Sequence, residues 1–213
     1  TNPVYEGVYV FDNDYAALLS DTPSFEHVES EFLRTRTERG ICRVVCFSPR
    51  HDLTLARMNA ATIETVIEGW QGQYRELGNV DFISHVQIFE NRGAMMGCSN
   101  PHPHGQIWAN ATIPDLPRME QDHQKKYRDE HGSCLLCNYL RTECERGERI
   151  VVENDSFVAL VPFWAVWPFE IMVLPREHRR SLGELADAEK KDLACIMRET
   201  GIRYDNLFET SFP

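Results

Sequence analysis

The sequence has no long apolar run and no excess of positive charge, and each absence excludes a class of function. Its 213 residues carry 33 Asp and Glu against 22 Lys and Arg, which gives a formal net charge of −11. So acidic a chain is a poor partner for a nucleic-acid backbone, which needs a basic surface. No stretch reaches the ~20 apolar residues of a membrane-spanning helix. We therefore expect neither nucleic acid nor a membrane as a partner.

The cysteine pattern also lacks the signs of an exported, disulfide-linked protein. There are seven cysteines, an odd number, and the first residues show no basic and apolar regions of a secretory signal. Reduced thiols are typical of the cytoplasm, where disulfides are rare. A cytoplasmic location is therefore predicted.

Composition and periodicity predict a mixed fold. The chain is 42% apolar and 26% charged, as in soluble globular proteins, and is long enough for one large domain or two small ones. The acidic stretch 21–31 is predicted to be a loop. Helices are predicted after Asn59 as far as Gly78, over 115–131, and from a cap at Asp187 to about 207. The strands predicted from alternation and β-branched content are 7–12, 41–47, 82–89, 104–112, 149–153, 157–161 and 169–174. This mixture predicts an α+β protein.

The second half of the sequence repeats the first. The run 48–51, ending at His51, matches the run 174–178, ending at His178, with one insertion. Counted onward from each histidine, four apolar positions fall in register: Leu55 with Leu182, Met58 with Leu185, Val66 with Leu193, and Trp70 with Met197. Two copies of one strand–loop–helix unit explain this, although any two amphipathic helices show partial register. The repeat predicts a further strand after residue 207, so we expect the chain to be truncated there.

The run Asn100-Pro-His-Pro-His-Gly-Gln106 is the most informative part of the sequence. Alternate side chains of an extended backbone share a face, so His102, His104 and Gln106 are predicted to point the same way. The prolines stiffen the segment and withdraw backbone donors, and Gly105 is expected to let a ligand approach the backbone. A glycine-punctuated loop lies just upstream. This combination is typical of a phosphate site with a nucleophile, whereas an isolated histidine in a strand is usually structural.

Three further segments of the sequence, taken together with the histidine run, resemble one known protein family. The four runs are 44–51, 97–106, 161–169 and 204–208. Together they resemble the galactose-1-phosphate uridylyltransferase family, a branch of the histidine-triad superfamily whose chains are longer at both ends. The resemblance implies two tandem histidine-triad-like halves, each an antiparallel sheet with packed helices. It places a catalytic half at 1–130 and an incomplete second half at 131–213.

The resemblance implies that UMP passes from UDP-glucose to galactose 1-phosphate through a covalent uridylyl-histidine. His104 matches the family's nucleophile, and its other ring nitrogen needs an acceptor, for which a nearby backbone carbonyl is expected. Gln106 is expected to bond the phosphoryl oxygens without readily supplying a proton, which favours transfer to a sugar phosphate over hydrolysis. The positions that match the family's uridine and phosphate contacts are Phe11, Asn13, Asp14, Val44, Asn91, Gly97, Cys98 and Ser99.

The resemblance also implies metals. His51 and His102 match two ligands of the family's zinc site, whose two cysteine ligands are not in this sequence. Structural zinc sites want four ligands, so this site is incomplete in the chain. Glu120 matches one ligand of a second site, often assigned to iron, whose histidines would lie past residue 213.

A second zinc site is suggested by the repeat rather than by the family. Cys134-Leu-Leu-Cys137 has metal-ligand spacing, and His178 stands where His51 stands in the first copy. These three residues would copy the first site, with a further ligand beyond the chain. A pair of ordinary loop thiols is the alternative.

Two rival functions stay open at this point. One is a nucleotide hydrolase or phosphorylase of the same superfamily, against which Gln106 and the tryptophan-containing segment 164–167 weigh. The other is an inactive nucleotide-binding fragment. The resemblance further implies a homodimer in which the partner subunit completes the sugar-phosphate site.

Overall fold

The computed structural model describes residues 3–93, 96–98 and 100–210. The strands are β1 Tyr9–Asp12, β2 Glu26–Val28, β3 Arg34–Arg36, β4 Gly40–Cys46, β5 His85–Phe89, β6 His104–Asn110, β7 Ile150–Glu153, β8 Phe157–Leu160 and β9 Met172–Pro175. The α-helices are α1 Ala60–Gly78, α2 Asp115–His131, α3 Leu135–Arg146 and α4 Asp187–Phe208. The chain is therefore α+β, as its periodicity predicts.

The first sheet has the order β1-β4-β6-β5 and is antiparallel throughout. β6 is an inner strand that begins at His104, directly after Pro103, because proline cannot donate to the ladder. Buried and half-buried residues alternate along β6. Gly105 and Ile107 face the core, whereas His104 and Gln106 share the opposite face, as the period of two requires.

Helix α1 covers the core face of this sheet. Asn59 caps it as predicted, since its side-chain oxygen accepts from the Thr62 backbone N–H at 2.8 Å. The fully buried residues of this core are Val45, Phe47, Met58, Ile63, Val66, Ile67, Leu77, Ile107, Ala109 and Ala194. Burial of one Val, Ile or Leu side chain contributes about 1.5–3 kcal/mol. The core therefore holds the sheet rigid beneath the face that carries His104.

The second half forms a smaller antiparallel sheet, β7-β8-β9, against which α3 and α4 pack. Helix α2 joins the two halves and buries none of its residues. No helix in the described part of the chain is both long and apolar enough to cross a bilayer.

The internal repeat is visible in the structure as matched elements. Each copy has a short 3-10 helix, at Leu55–Arg57 and Leu182–Glu184, followed by a long α-helix that begins at residue 60 or 187. The two 3-10 helices begin 127 residues apart, and so do the two α-helices. His178 follows His51 by the same 127 residues. The register predicted from four apolar positions is therefore confirmed.

The two copies of the repeat make equivalent hydrogen bonds to each other. Gln71 Nε2 donates to the carbonyl oxygen of Leu185 at 2.9 Å, and Arg198 Nε donates to the carbonyl oxygen of Met58 at 2.9 Å. Since 71 and 198 are equivalent positions, as are 58 and 185, the halves meet about an approximate two-fold axis. Helices α1 and α4 pack directly at this axis.

Several local predictions were wrong, each for a physical reason. The stretch 21–31, expected to be a loop, contributes β2 to an exposed hairpin with β3. Helix α3 was not predicted, because it is short and its polar residues obscure its apolar face. Asp187 is the first residue of α4 rather than its cap. The carboxylate of Glu189 instead accepts from the Ala186 N–H at 2.8 Å.

Candidate active site

A cleft of about 850 Å³ opens on the polar face of the first sheet. Its lining combines the ends of β1, β4 and β6 with the segments beside them. Of the residues predicted from sequence, it contains Phe11, Asn13, Asp14, Val44, His51, His102, His104 and Gln106. The antiparallel register explains this convergence, because Cys46 pairs with His104 and Val44 with Gln106.

His104 is held in one tautomer by a backbone group. Its Nδ1 lies 2.7 Å from the carbonyl oxygen of His102. A carbonyl can only accept, so the proton is on Nδ1 and the Nε2 atom has a free lone pair. This is the arrangement that a nucleophilic imidazole requires.

Gln106 lies on the same face of β6, one pleat further along. Trp108 Nε1 donates to Gln106 Oε1 at 3.4 Å. Because that contact occupies the amide oxygen, the amide nitrogen is left to donate to a bound anion. Gln106 thus offers a donor beside His104 and no titratable proton.

Gly105 plays a different part from the one predicted. It lies on the buried face, where an added Cβ would be 2.9 Å from the Phe89 carbonyl oxygen and 3.0 Å from the Phe47 ring. Glycine is required there for strand and core packing, and the expectation that it admits a ligand was wrong. The period of two places it on the face opposite the cleft.

His51 and His102 bring their Nδ1 atoms together. These atoms are 2.8 Å apart, whereas two imidazole nitrogens on a tetrahedral zinc ion with ~2.05 Å bonds are about 3.3 Å apart. If the two Nδ1 atoms lay about half an ångström further apart, a zinc ion would fit between them. Burial lowers the pKa of His102, and the charges of His51 and His104 lower it further. A neutral imidazole is the form that binds metal, so these two residues fit zinc as two of its four ligands.

Sequence reasoning did not assign the other seven residues of the cleft, which are Pro3, Val4, Tyr5, Tyr15, Cys46, Pro49 and Asn100. Tyr5 stacks on Tyr9 with ring centroids 5.2 Å apart, and Tyr9 stacks on Phe11 in the same way at 5.5 Å. Burial, followed by the neighbouring Cys46, raises the pKa of Tyr5 to about 12. Burial also raises the pKa of Cys46. The aromatic residues at 5, 9 and 11 were the available signal in the sequence.

The predicted phosphate loop does not line the cleft in its described part. Asn91 and Gly97 are exposed and Cys98 is half-buried, and Ser99 lies outside the described residues. Gly97 has φ +78°, a left-handed conformation that favours glycine. Arg92 Nη2 donates to Asp205 Oδ1 at 2.7 Å, which ties this loop to α4.

A second group of metal-type side chains lies in the other half. The ligand atoms of Cys134, Cys137 and His178 all lie within 4.8 Å of one another. Cys137 Sγ is 3.4 Å from His178 Nδ1, close to the separation of about 3.6 Å expected for sulfur and nitrogen on one tetrahedral zinc. Glu120, on the exposed surface of α2, does not belong to this group.

Comparison with known proteins covers nearly the whole chain. Residues 1–114 match the family described as "Galactose-1-phosphate uridyl transferase, N-terminal domain", and residues 120–213 match its C-terminal domain. The chain is 51% identical to a galactose-1-phosphate uridylyltransferase of Haemophilus influenzae and 47% identical to that of Rattus norvegicus. All of this chain is covered in both alignments, but only 60% and 55% of those relatives.

Solved structures show the same relationship. A uridylyltransferase structure matches with a TM-score of 0.89 and 28% identity, covering 97% of this chain and 66% of the other. An ADP-glucose phosphorylase from Arabidopsis thaliana, solved with ADP-glucose bound, matches with a TM-score of 0.82 and 26% identity, covering 96% of this chain and 62% of the other. With both family domains matched in sequence and the fold shared at this level, the chain belongs to the galactose-1-phosphate uridylyltransferase family.

Proposed function

We propose that the protein is a UDP-glucose–hexose-1-phosphate uridylyltransferase that transfers UMP from UDP-glucose to galactose 1-phosphate. The observation that carries this proposal is the hydrogen bond from His104 Nδ1 to the His102 carbonyl oxygen, 2.7 Å long, which leaves Nε2 as the nucleophilic atom. The relatives from Haemophilus influenzae and Rattus norvegicus carry the corresponding name.

The transfer takes place in two displacements at phosphorus. His104 Nε2 attacks the α-phosphorus of UDP-glucose, an Nε2–P bond forms, and the P–O bond to glucose 1-phosphate breaks. A phosphate oxygen of galactose 1-phosphate then attacks the same phosphorus, and the Nε2–P bond breaks to give UDP-galactose. The His102 carbonyl supports both steps, because it stabilises the positive charge that the ring carries while phosphorylated.

The rest of the cleft holds the nucleotide. Gln106 donates to a phosphoryl oxygen, and Phe11 packs against the uracil ring. Asp14 and Asn13 accept and donate hydrogen bonds at the ribose, beside Val44. We assign the loop residues Asn91, Gly97, Cys98 and Ser99 to the phosphates. That assignment is supported by the family resemblance and by the position of the loop immediately before the histidine run.

Two zinc sites belong to this proposal. His51 and His102 supply two ligands of the first, and a zinc ion there would stiffen the segment that presents His104. Cys134, Cys137 and His178 supply three ligands of the second, which the 3.4 Å sulfur–nitrogen separation supports. Glu120 as an iron ligand is supported by the family resemblance.

The assembly and organisation follow from the same proposal. We assign residues 1–130 to the catalytic half and 131–213 to the supporting half, so that the boundary falls at the end of α2. A cytoplasmic homodimer is proposed, in which the partner subunit completes the sugar-phosphate site. Sedimentation of the intact protein at micromolar concentration measures its oligomeric state.

Intact-mass spectrometry tests the catalytic proposal. The protein is mixed with UDP-glucose, and we expect one uridylyl group to be attached, with peptide mapping placing it on His104. His104→Asn should remove the adduct, whereas His123→Asn, on the exposed surface of α2, should retain it. Absence of any adduct on the wild-type protein would reject the enzyme and favour a nucleotide-binding fragment.

The fate of the adduct separates the transferase from its rivals. Galactose 1-phosphate should discharge it rapidly to UDP-galactose. Discharge by water alone at a comparable rate would indicate a hydrolase, and discharge by inorganic phosphate would indicate a phosphorylase.

A further inference from the structure

Tyr5 makes two contacts that connect the start of the chain with the histidine run. Its hydroxyl oxygen lies 2.9 Å from the carbonyl oxygen of Ser48 and 3.1 Å from His102 Nε2. Ser48 follows β4, and His102 precedes β6. The Tyr5 hydroxyl therefore bridges the ends of two paired strands, at the point where both approach the cleft.

The direction of these hydrogen bonds follows from their chemistry. The Ser48 carbonyl can only accept, so the single Tyr5 hydroxyl proton is donated to it. The Tyr5 oxygen then faces His102 Nε2 as an acceptor, which places a proton on Nε2. A neutral imidazole carries one proton, so His102 Nδ1 keeps its lone pair, which in the metal-free protein accepts from His51 Nδ1–H at 2.8 Å.

We propose that Tyr5 is a positioning residue that selects the Nε2-protonated tautomer of His102 and so prepares Nδ1 to bind a metal ion together with His51. This inference rests on the proposed zinc site. Outer hydrogen bonds of this kind fix both the tautomer and the orientation of metal-binding histidines.

Tyr5 also reaches the nucleophile through the same residue. The backbone carbonyl of His102 accepts from His104 Nδ1 at 2.7 Å, while its ring is held by Tyr5. One residue thus joins the metal pair to the reacting imidazole. Fixing the His102 ring restrains the peptide that orients His104.

Zinc affinity of the intact protein, measured by competition with a chelator, tests the first consequence. Tyr5→Phe keeps the ring and its stacking on Tyr9 but removes the bridging oxygen. We expect zinc binding at the His51–His102 site to weaken roughly 10- to 100-fold. The matched control Tyr9→Phe removes a hydroxyl from the adjacent ring and should bind zinc as the wild type does. Equal affinity of the Tyr5→Phe and Tyr9→Phe proteins would overturn the proposal.

The tautomer itself is measured on metal-free protein, so this arm decides the role of Tyr5 even if no zinc binds. In ¹H–¹⁵N spectra of protein with ¹⁵N-labelled histidine, His102 should show a slowly exchanging proton on Nε2 and none on Nδ1. Tyr5→Phe should make that proton exchange rapidly and raise the Nδ1-protonated fraction, while circular dichroism stays unchanged. A wild-type proton on Nδ1, or a His102 spectrum that Tyr5→Phe leaves unaltered, would reject the assignment.

Discussion

Gly105 lies so close to the carbonyl oxygen of Phe89 that an added Cβ would be 2.9 Å from it. Gly105→Ala must therefore push apart two hydrogen-bonded strands, since the neighbouring Phe47 ring, at 3.0 Å, blocks the other direction. We expect the free energy of unfolding to fall by roughly 1–3 kcal/mol, as in other overpacked cores. Urea denaturation measures this loss.

Gly72→Ala is the matched control for that change. Gly72 lies inside α1, and a Cβ there meets nothing within 4 Å. The substitution should stabilise the protein by roughly 0.5–1 kcal/mol, because alanine loses less conformational freedom in a helix. Equal effects of the two substitutions would contradict the packing role of Gly105.

Gln106→His should increase hydrolysis of UDP-glucose relative to transfer. A histidine beside His104 supplies a titratable proton, which the amide cannot, so that water competes better for the uridylyl group. The measurement is the ratio of free UMP to UDP-galactose formed with both substrates present. Gln87→His, at the exposed position of β5, should leave the ratio unchanged. A ratio unaltered by Gln106→His would count against the proposed role of the amide.

Cys137→Ser should remove one metal ion per chain. Only three ligands of that ion lie in the described part of the chain, and a serine hydroxyl does not replace a thiolate on zinc. Elemental analysis of the purified intact protein measures zinc per chain. Cys144→Ser alters an exposed thiol of the same helix and should retain the metal. Equal zinc content in both variants would identify Cys134 and Cys137 as ordinary thiols.

Glu90 is predicted to make stability depend on pH. Burial raises its pKa from 4.5 to about 7, partly offset by Arg92. At 1.36 kcal/mol per pKa unit, the raised pKa of Glu90 corresponds to roughly 3 kcal/mol in the free energy of unfolding. The folded state binds the proton more tightly, so this stability is fully present below about pH 4.5 and is lost as the pH rises through about 7.

Glu90→Gln should therefore raise the free energy of unfolding at pH 8 and have a much smaller effect at pH 5. Urea denaturation at the two pH values measures the difference. Glu145→Gln, on the exposed surface of α3, should show no such dependence. A gain from Glu90→Gln that is equal at both pH values would mean that Glu90 keeps an ordinary carboxyl pKa.

The parts of the fold that the sequence predicts are those with strong periodicity. Helix α1, with its Asn59 cap, and the alternating strand β6 were predicted nearly to the residue. Helix α3 and the β2–β3 hairpin were not, because the apolar residues of α3 are largely confined to its first half and the hairpin strands are exposed throughout. Asp187 is not the cap, because the cap position falls on Ala186. The Ala186 backbone N–H donates to the carboxylate of Glu189, which lies within the helix.

The candidate site was predictable wherever its residues share one motif. His102, His104 and Gln106 follow from strand geometry, and His51 joins them through the pairing of β4 with β6. Tyr5 could not be found in this way, because its contacts join positions 43 and 97 residues apart along the chain. The sequence left open whether Cys134, Cys137 and His178 lie together; the fold brings their sulfur and nitrogen atoms within 4.8 Å, and a metal ion bound there stays a prediction.

Gln71 and Arg198 occupy equivalent positions, and each donates a hydrogen bond to the other half. The two halves therefore pack against each other as two subunits of a symmetric dimer would, but within one polypeptide. Each repeat completes the interior of the other, so neither is expected to melt independently. Helix α2 buries no residue, so dividing the chain there removes no buried contact. Two fragments separated there should stay associated and, after denaturation, should recover their structure only when mixed.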